Sequence, residues 1–233
     1  MYQYSLVLAL TDYIPIIFSG LGLWFTAKAI EQHEASIARL MRWATLFLVM
    51  GGLCKASWKL LIASVDVNLI WLNHALFMFM APGFTFIAFA MWAGRRQLAG
   101  KPLKATAWRC PASATALFAL LAVGAAIAQD GGRTWFFILL LQLTVANILF
   151  TWHATKYSVM RQNRLAGVLY VLNIIGVFAM SGFARVGDSS EAFQWLAQLT
   201  NTATQGSLAL AGWLLWKKQH QSSAMGTLAG KGI

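Results

Sequence analysis

Two lysines lie four residues apart inside an apolar stretch that covers about residues 43–64. If this stretch is a helix, Lys55 and Lys59 share one of its faces. A charged side chain at bilayer depth costs about 3 kcal/mol, so each lysine needs a compensating group. Asp12, inside the first apolar stretch, is predicted to reach a similar depth and can compensate one lysine. One positive charge then remains.

Four explanations of that charge are open. The second lysine could have another partner in the protein, or one lysine could be neutral. Alternatively, an anion enters between the helices, or both amines snorkel to the outer headgroups. The anion hypothesis predicts an outward-facing pocket, in which the indole of Trp58 offers an apolar wall. The residues that we expect around this pocket are Asp12, Lys55, Trp58, Lys59 and His74.

The last apolar stretch, at about residues 193–216, carries a stripe of polar side chains. They recur at intervals of three and four residues, which is the period of one helix face. The stripe consists of Glu191, Gln194, Gln198, Asn201 and Gln205. Amides gain nothing by facing lipid, so we expect this face to point into the bundle. There it either joins helices by hydrogen bonds or forms the wall of a wetted cavity.

The remaining polar residues of the apolar stretches concentrate toward the predicted outside. This outer set includes Asn73, Arg185 and Asp188. The sixth stretch carries a short polar stripe, which consists of Asn173, Ser181, Arg185 and Asp188. Arg185 and Asp188 should pair at the outer mouth, where Arg185 would also attract an anion. The inner half is predicted to be nearly apolar apart from Asn147 and His153. This distribution favours a vestibule that opens outward and is closed below.

The composition requires membrane helices to position these residues. Hydrophobic residues make up 59% of the 233 and charged residues only 11%, against about 25% charged in soluble domains. A bilayer span takes about 20 residues. The apolar stretches fall at about 5–27, 43–64, 69–93, 110–128, 134–154, 165–184 and 193–216. The sequence therefore predicts an all-α integral membrane protein, a single seven-transmembrane-helix bundle over 1–218, with a flexible cytoplasmic tail over 219–233.

The basic residues predict the orientation of this bundle. Fourteen of the 18 lysines and arginines lie in or beside alternate connections, whereas the opposite connections hold only Arg133 and Arg185. Short loops biased in this way lie in the cytoplasm, so the N-terminus is predicted outside and the C-terminus inside a bacterial-type inner membrane or a plasma membrane. The net charge of +11 then sets topology and does not indicate a nucleic-acid partner. The fourteen residues are Lys28, Arg39, Arg42, Arg95, Arg96, Lys101, Lys104, Arg109, Lys156, Arg161, Arg164, Lys217, Lys218 and Lys231.

Ten of the eleven tryptophans fall near the ends of predicted spans, as in an interfacial aromatic belt. Trp58 is the exception, since it lies well inside the second span. Pro15 and Pro82 fall inside the first and third spans, where each removes a backbone hydrogen bond and is expected to disturb the helix.

The sequence argues against several enzyme and cofactor classes. A membrane haem with two axial histidines needs them at one depth, but His74 lies near the outside and His153 near the inside; a haem held by one histidine stays open. The motifs HExxH, GxSxG, the Walker loop and a strand-linked GxGxxG are missing from the sequence. Enzyme function therefore ranks third, and any cofactor is left unknown.

In architecture alone, the predicted bundle is similar to the retinal-binding rhodopsins. Those proteins attach retinal to a lysine near the middle of the last helix. Here residues 201–206 read NTATQG, and the seventh stretch has no lysine before Lys217. Lys55 or Lys59 would have to serve from the second span, which counts against a retinal pigment and leaves only a retinal-free, rhodopsin-like protein.

Two function classes remain ahead of these. The first is a transporter or sensor that admits a small polar or anionic ligand from outside. The second is a non-catalytic subunit of a larger membrane complex, in which the polar stripes meet partner helices or cofactors. The partner would be another membrane subunit or a second copy of the chain. Membrane lipids are expected partners in both classes.

Overall fold

The computed structural model describes residues 5–32, 34–129, 132–186 and 190–229, with side chains up to His220. All regular elements in these ranges are helices. They are α1 (Leu6–Thr11), α2 (Tyr13–Glu31), α3 (Ala35–Val65), α4 (Ile70–Leu98), α5 (Arg109–Ala128), α6 (Thr134–Met160), α7 (Arg164–Val186) and α8 (Glu191–Ala229).

Within the described residues, six helical segments are long and apolar enough to cross a membrane, so the chain is an integral membrane protein. They are Leu6–Glu31, Ala35–Val65, Ile70–Leu98, Arg109–Ala128, Thr134–Met160 and Arg164–Val186. Helix α8 is long enough but less apolar, because it carries the amide stripe and a polar C-terminal part. The prediction of an all-α membrane bundle is confirmed for the described residues. The seventh crossing and the orientation of the termini stay predictions.

Six helices form a closed ring. Along it α2 packs against α3, α3 against α4, α4 against α6, α6 against α7, α7 against α8, and α8 returns to α2. Helix α5 lies outside this ring, against α6 and α4, and α1 packs against α3 and α8. The end of the bundle that holds α1 is called the α1 end below, and the opposite end is called the α6–α7 end.

Helices α2 and α8 cross where both backbones lack a side chain. A Cβ atom built on Gly212 would lie 2.1 Å from the carbonyl oxygen of Gly22, and one built on Gly22 would lie 2.7 Å from the backbone of Leu208. Any larger residue would force the helices apart, since small residues are what allow such close approach. Helices α2 and α8 are thereby tightly packed against each other.

The main apolar core lies between this crossing and the α6–α7 end. Its largest fully buried side chains come from α2, α3, α4, α6, α7 and α8, so all six ring helices contribute. They include Leu23, Ile30, Met41, Ile87, Met91, Phe150, Tyr157, Tyr170, Leu208 and Leu215.

The two prolines affect their helices differently. The helix that contains Pro15 divides into α1 and α2 at Asp12, as expected, whereas α4 runs on through Pro82 without a break. Helix α8 continues to Ala229, and the flexible tail over 219–233 stays a prediction.

Candidate ligand site at the α1 end

An ion pair joins α3 to the junction of α1 and α2. The Lys59 Nζ atom lies 2.6 Å from Oδ2 of Asp12, and these side chains are 21% and 11% exposed respectively. The predicted compensation of one lysine by Asp12 is therefore present in the structure.

The helix junction is itself part of the site. Pro15 has no N–H group, so the carbonyl oxygen of Thr11, four residues earlier, loses its helical donor. The buried amide of Gln198 on α8 donates a hydrogen bond to this oxygen, with an Nε2–O distance of 2.7 Å. A proline on one helix and an amide on another thus form a matched pair that ties α8 to the junction.

Lys55 lies one helical turn from Lys59 and is half-buried. It is close enough to both Lys59 and Asp12 to interact with each electrostatically. Within the described residues, its amine forms no hydrogen bond or ion pair. With both lysines protonated, these three groups carry one net positive charge, because Asp12 is the only carboxylate among them.

Two further contacts hold α3 in place around these lysines. The Ser57 hydroxyl lies 3.2 Å from the Tyr13 hydroxyl on α2. The buried indole of Trp58 donates a hydrogen bond to Oδ1 of Asn68, in the connection between α3 and α4, at 2.8 Å. Trp58 therefore anchors this connection beside the lysines.

The amide stripe of α8 occupies the less exposed side of its helix. Gln198 is buried, and Gln194, Asn201 and Gln205 are half-buried. Leu199, on another face, is 61% exposed. Within the described residues the side chains of Asn201 and Gln205 form no hydrogen bond, so their amides are available to a ligand or water.

Asn173, by contrast, serves to join helices. Its buried amide donates a hydrogen bond from Nδ2 to the carbonyl oxygen of Thr204, at 2.8 Å. This bond links α7 to α8. Joining helices by hydrogen bonds is one of the two roles that the sequence left open for amides inside the membrane.

Three of the predicted site residues are not joined to the lysine cluster. The ring of His74 packs edge-to-face on Trp135 of α6, with the centroids 5.1 Å apart. Asn73 beside it is half-buried and forms no hydrogen bond in the described part of the chain. Arg185 is exposed near the end of α7, and its predicted partner, Asp188, lies outside the described residues.

The half of the bundle toward the α6–α7 end is more polar than predicted. The hydroxyl of Tyr170 lies 2.7 Å from the hydroxyl of Thr26, which itself donates to the carbonyl oxygen of Gly22. The hydroxyl of Tyr157 donates to the carbonyl oxygen of Ala29 at 3.2 Å. Tyrosine was counted with the apolar residues in the sequence, so these buried hydroxyls were missed.

Buried polar atoms also occur on α6. Asn147 and Thr151 are both buried and lie one turn apart, and each has a side-chain oxygen without a hydrogen-bond partner. The Nδ1 atom of His153 also has no hydrogen-bond partner. Gln142, higher on the same helix, is satisfied by a 3.0 Å hydrogen bond to the Thr85 hydroxyl. In the described part of the chain, no group of three or more His, Cys, Asp or Glu side chains is placed to hold a metal ion.

The comparisons with known proteins identify no relative. No family model, no curated protein and no solved structure matches this chain.

Proposed function

We propose that the protein binds a small polar or anionic solute at the α1 end of its bundle, next to Lys55, and acts as a transporter or a sensor. The proposal includes a seven-span topology with the N-terminus outside, in a bacterial-type inner membrane or a plasma membrane. In that orientation the α1 end faces the exterior.

One observation carries this proposal. Two lysines share a helix face within a membrane-crossing segment, and one carboxylate is bonded to the second of them. Lys55 is left as a half-buried cation whose nearest charged groups include another cation. Because an unpaired charge at this depth is costly, an anion beside Lys55 would be stabilised there.

The amides of Asn201 and Gln205 extend the proposal from anions to polar solutes. Both lie on the half-buried face of α8, one and two turns below Gln198. Ligand sites in membrane bundles combine a few such polar groups with apolar walls. A carboxylate solute would combine the charge that Lys55 attracts with hydrogen bonds that these amides donate.

The test is anion binding by the purified protein in nanodiscs. Sodium chloride, nitrate, acetate and succinate are titrated at constant ionic strength while the melting temperature is recorded. We expect at least one anion to stabilise the wild type saturably, Lys55→Met to abolish this effect, and Lys55→Arg to retain it in part. Lys156→Met removes an exposed lysine that stacks on Trp152 and is the matched control.

Two outcomes would contradict the proposal. The first is that no anion stabilises the wild type more than Lys55→Met. The second is that Lys55→Met and Lys156→Met weaken the effect equally, which would indicate surface electrostatics. Native mass spectrometry of the same sample tests the alternative, since a non-catalytic subunit would purify with other chains.

A further inference from the structure

We infer that a cavity at the α6–α7 end binds the phosphate headgroup of an anionic membrane lipid. The cavity has a volume of about 240 Å³ and is lined by Met160, Arg161, Gln162, Leu215, Lys218 and Gln219. It lies between the end of α6 and the polar part of α8, and it is separate from the site of Lys55.

The walls of the cavity are held in a fixed arrangement by hydrogen bonds. Asn163 begins α7 by accepting a hydrogen bond from the N–H of Ala166, and its Nδ2 donates to the carbonyl oxygen of Leu214 on α8, at 3.0 Å. The Lys218 amine in turn donates to the carbonyl oxygen of Gln162. The α6–α7 turn is therefore tied to α8 at two points, with the cavity between them.

The turn itself is sharp. Gln162 adopts a left-handed backbone conformation with φ 54°, and the N–H of Asn163 bonds to the carbonyl oxygen of Ser158. This is the closing pattern of a helix C-terminus. It fixes the backbone between Arg161 and Asn163 without needing any ligand.

Both charged side chains that line the cavity, Arg161 and Lys218, are positive. Arg161 is half-buried, and its guanidinium forms no hydrogen bond or ion pair within the described residues. Residues 132–186 contain no Asp or Glu, and α8 contains only Glu191, at its opposite end. The carboxylate of Glu31, at this end of neighbouring α2, is already bonded to Arg42 at 2.8 Å. An arginine fork beside a lysine is the donor set that phosphate prefers.

The cavity also has the polarity and size of a headgroup site. Met160 and Leu215 form an apolar side, and Gln162 and Gln219 add amide groups. Its volume is below the roughly 300–1,000 Å³ of pockets for drug-sized ligands, which suits one phosphate group and its linker. Lys217 stacks on Trp213 at 4.8 Å close by, as cationic and aromatic residues do at the membrane interface. These features favour a lipid phosphate over a free one.

The test measures lipid binding to the full chain in detergent. Short-chain phosphatidylglycerol is titrated while the melting temperature and the native mass spectrum are recorded, with phosphatidylcholine and inorganic phosphate as separate arms. We expect saturable stabilisation and bound-lipid peaks with phosphatidylglycerol only. Arg161→Gln and Lys218→Gln should each weaken its apparent affinity roughly tenfold, since each removes a charge-assisted hydrogen bond. Lys101→Gln, at an exposed loop position, should bind as the wild type does.

Three results would overturn the inference. Phosphatidylcholine could bind equally well, which would remove the requirement for negative charge. Inorganic phosphate could saturate the site at the same concentration, which would assign it to a soluble solute. Lys101→Gln could weaken lipid binding as much as Arg161→Gln does. If Arg161→Gln does not fold, Lys218→Gln and the comparison of the two lipids on the wild type decide the matter.

Discussion

Asp12→Asn should destabilise the protein more than Lys59→Met, although the two residues form one ion pair. Asp12→Asn leaves two lysines on one face of α3 with no carboxylate beside them. Lys59→Met leaves Asp12 within electrostatic range of Lys55, which can take over as its partner. The cost of losing the pair is therefore partly recovered in the second variant and not in the first.

The magnitudes follow from the burial of the pair. Surface ion pairs contribute roughly 0–1 kcal/mol, whereas removing one partner of a fully buried pair costs about 3–5 kcal/mol. The Lys59 side chain is 21% exposed and that of Asp12 is 11% exposed. The cost of Asp12→Asn therefore lies between these limits, at about 2–3 kcal/mol. Lys59→Met should cost about 1 kcal/mol, close to a surface pair.

The assay is reversible unfolding in mixed micelles of increasing dodecyl sulfate content, followed by tryptophan fluorescence. The double variant completes a thermodynamic cycle, from which we expect a coupling free energy of about 1–2 kcal/mol. Lys156→Met, an exposed lysine, controls for the loss of a positive charge. Equal destabilisation by Asp12→Asn and Lys59→Met would refute the reasoning, because it would mean that Lys55 does not interact with Asp12.

Three further predictions concern helix contacts and topology. Gln198→Leu should lower the free energy of unfolding by about 1–2 kcal/mol, because it leaves the Thr11 carbonyl without its donor. The cost should be much smaller in a Pro15→Ala background, where the helical N–H is restored. Unfolding in mixed micelles measures both costs. Gly212→Ala should cost about 1–3 kcal/mol or more by forcing α2 and α8 apart, measured as a lower melting temperature. In a background without Cys54 and Cys110, a cysteine at Asp66 should react with an impermeant maleimide from outside, and one at Lys101 only after permeabilisation.

Each of these has its own control. Gly124→Ala changes a glycine with open space around it and should not destabilise the protein. An equal cost of Gln198→Leu with and without Pro15 would mean that the Thr11 carbonyl is not its partner. Labelling of positions 66 and 101 from one face would contradict the alternating topology.

The sequence alone predicted the helices well, and the physical reason is simple. Each apolar stretch must satisfy its backbone within itself in a bilayer, and only a helix does so. The ends were predicted less well, because polar residues can extend a helix past the apolar part: α6 was expected to end at about residue 154 and ends at Met160. Helix α8 runs further still.

For the site, the sequence predicted how deep in the bundle each side chain lies, but not which neighbouring helix it faces. Asp12 and Lys59 were expected at one level and are bonded. His74 was expected at that level too, but its ring lies against Trp135, because the rotation of a helix about its axis depends on packing that spacing does not encode. The Gln198–Thr11 bond had a readable signal in Pro15, whose missing N–H requires a donor from elsewhere. Nothing in the sequence indicated which helix would supply that donor.

The contact between α2 and α8 has a consequence for how the protein is made. A chain emerging from the ribosome can insert α2 early, but α8 must follow nearly the whole sequence before the ring closes. Until then the Gly22 surface has no neighbour, and the carbonyl that Pro15 deprives of its donor stays unsatisfied. The least apolar ring helix, α8, is also synthesised last, after the five other ring helices. Such long-range closure is slow compared with local helix pairing. A chain that stops short of α8 leaves a gap in the ring between α2 and α7.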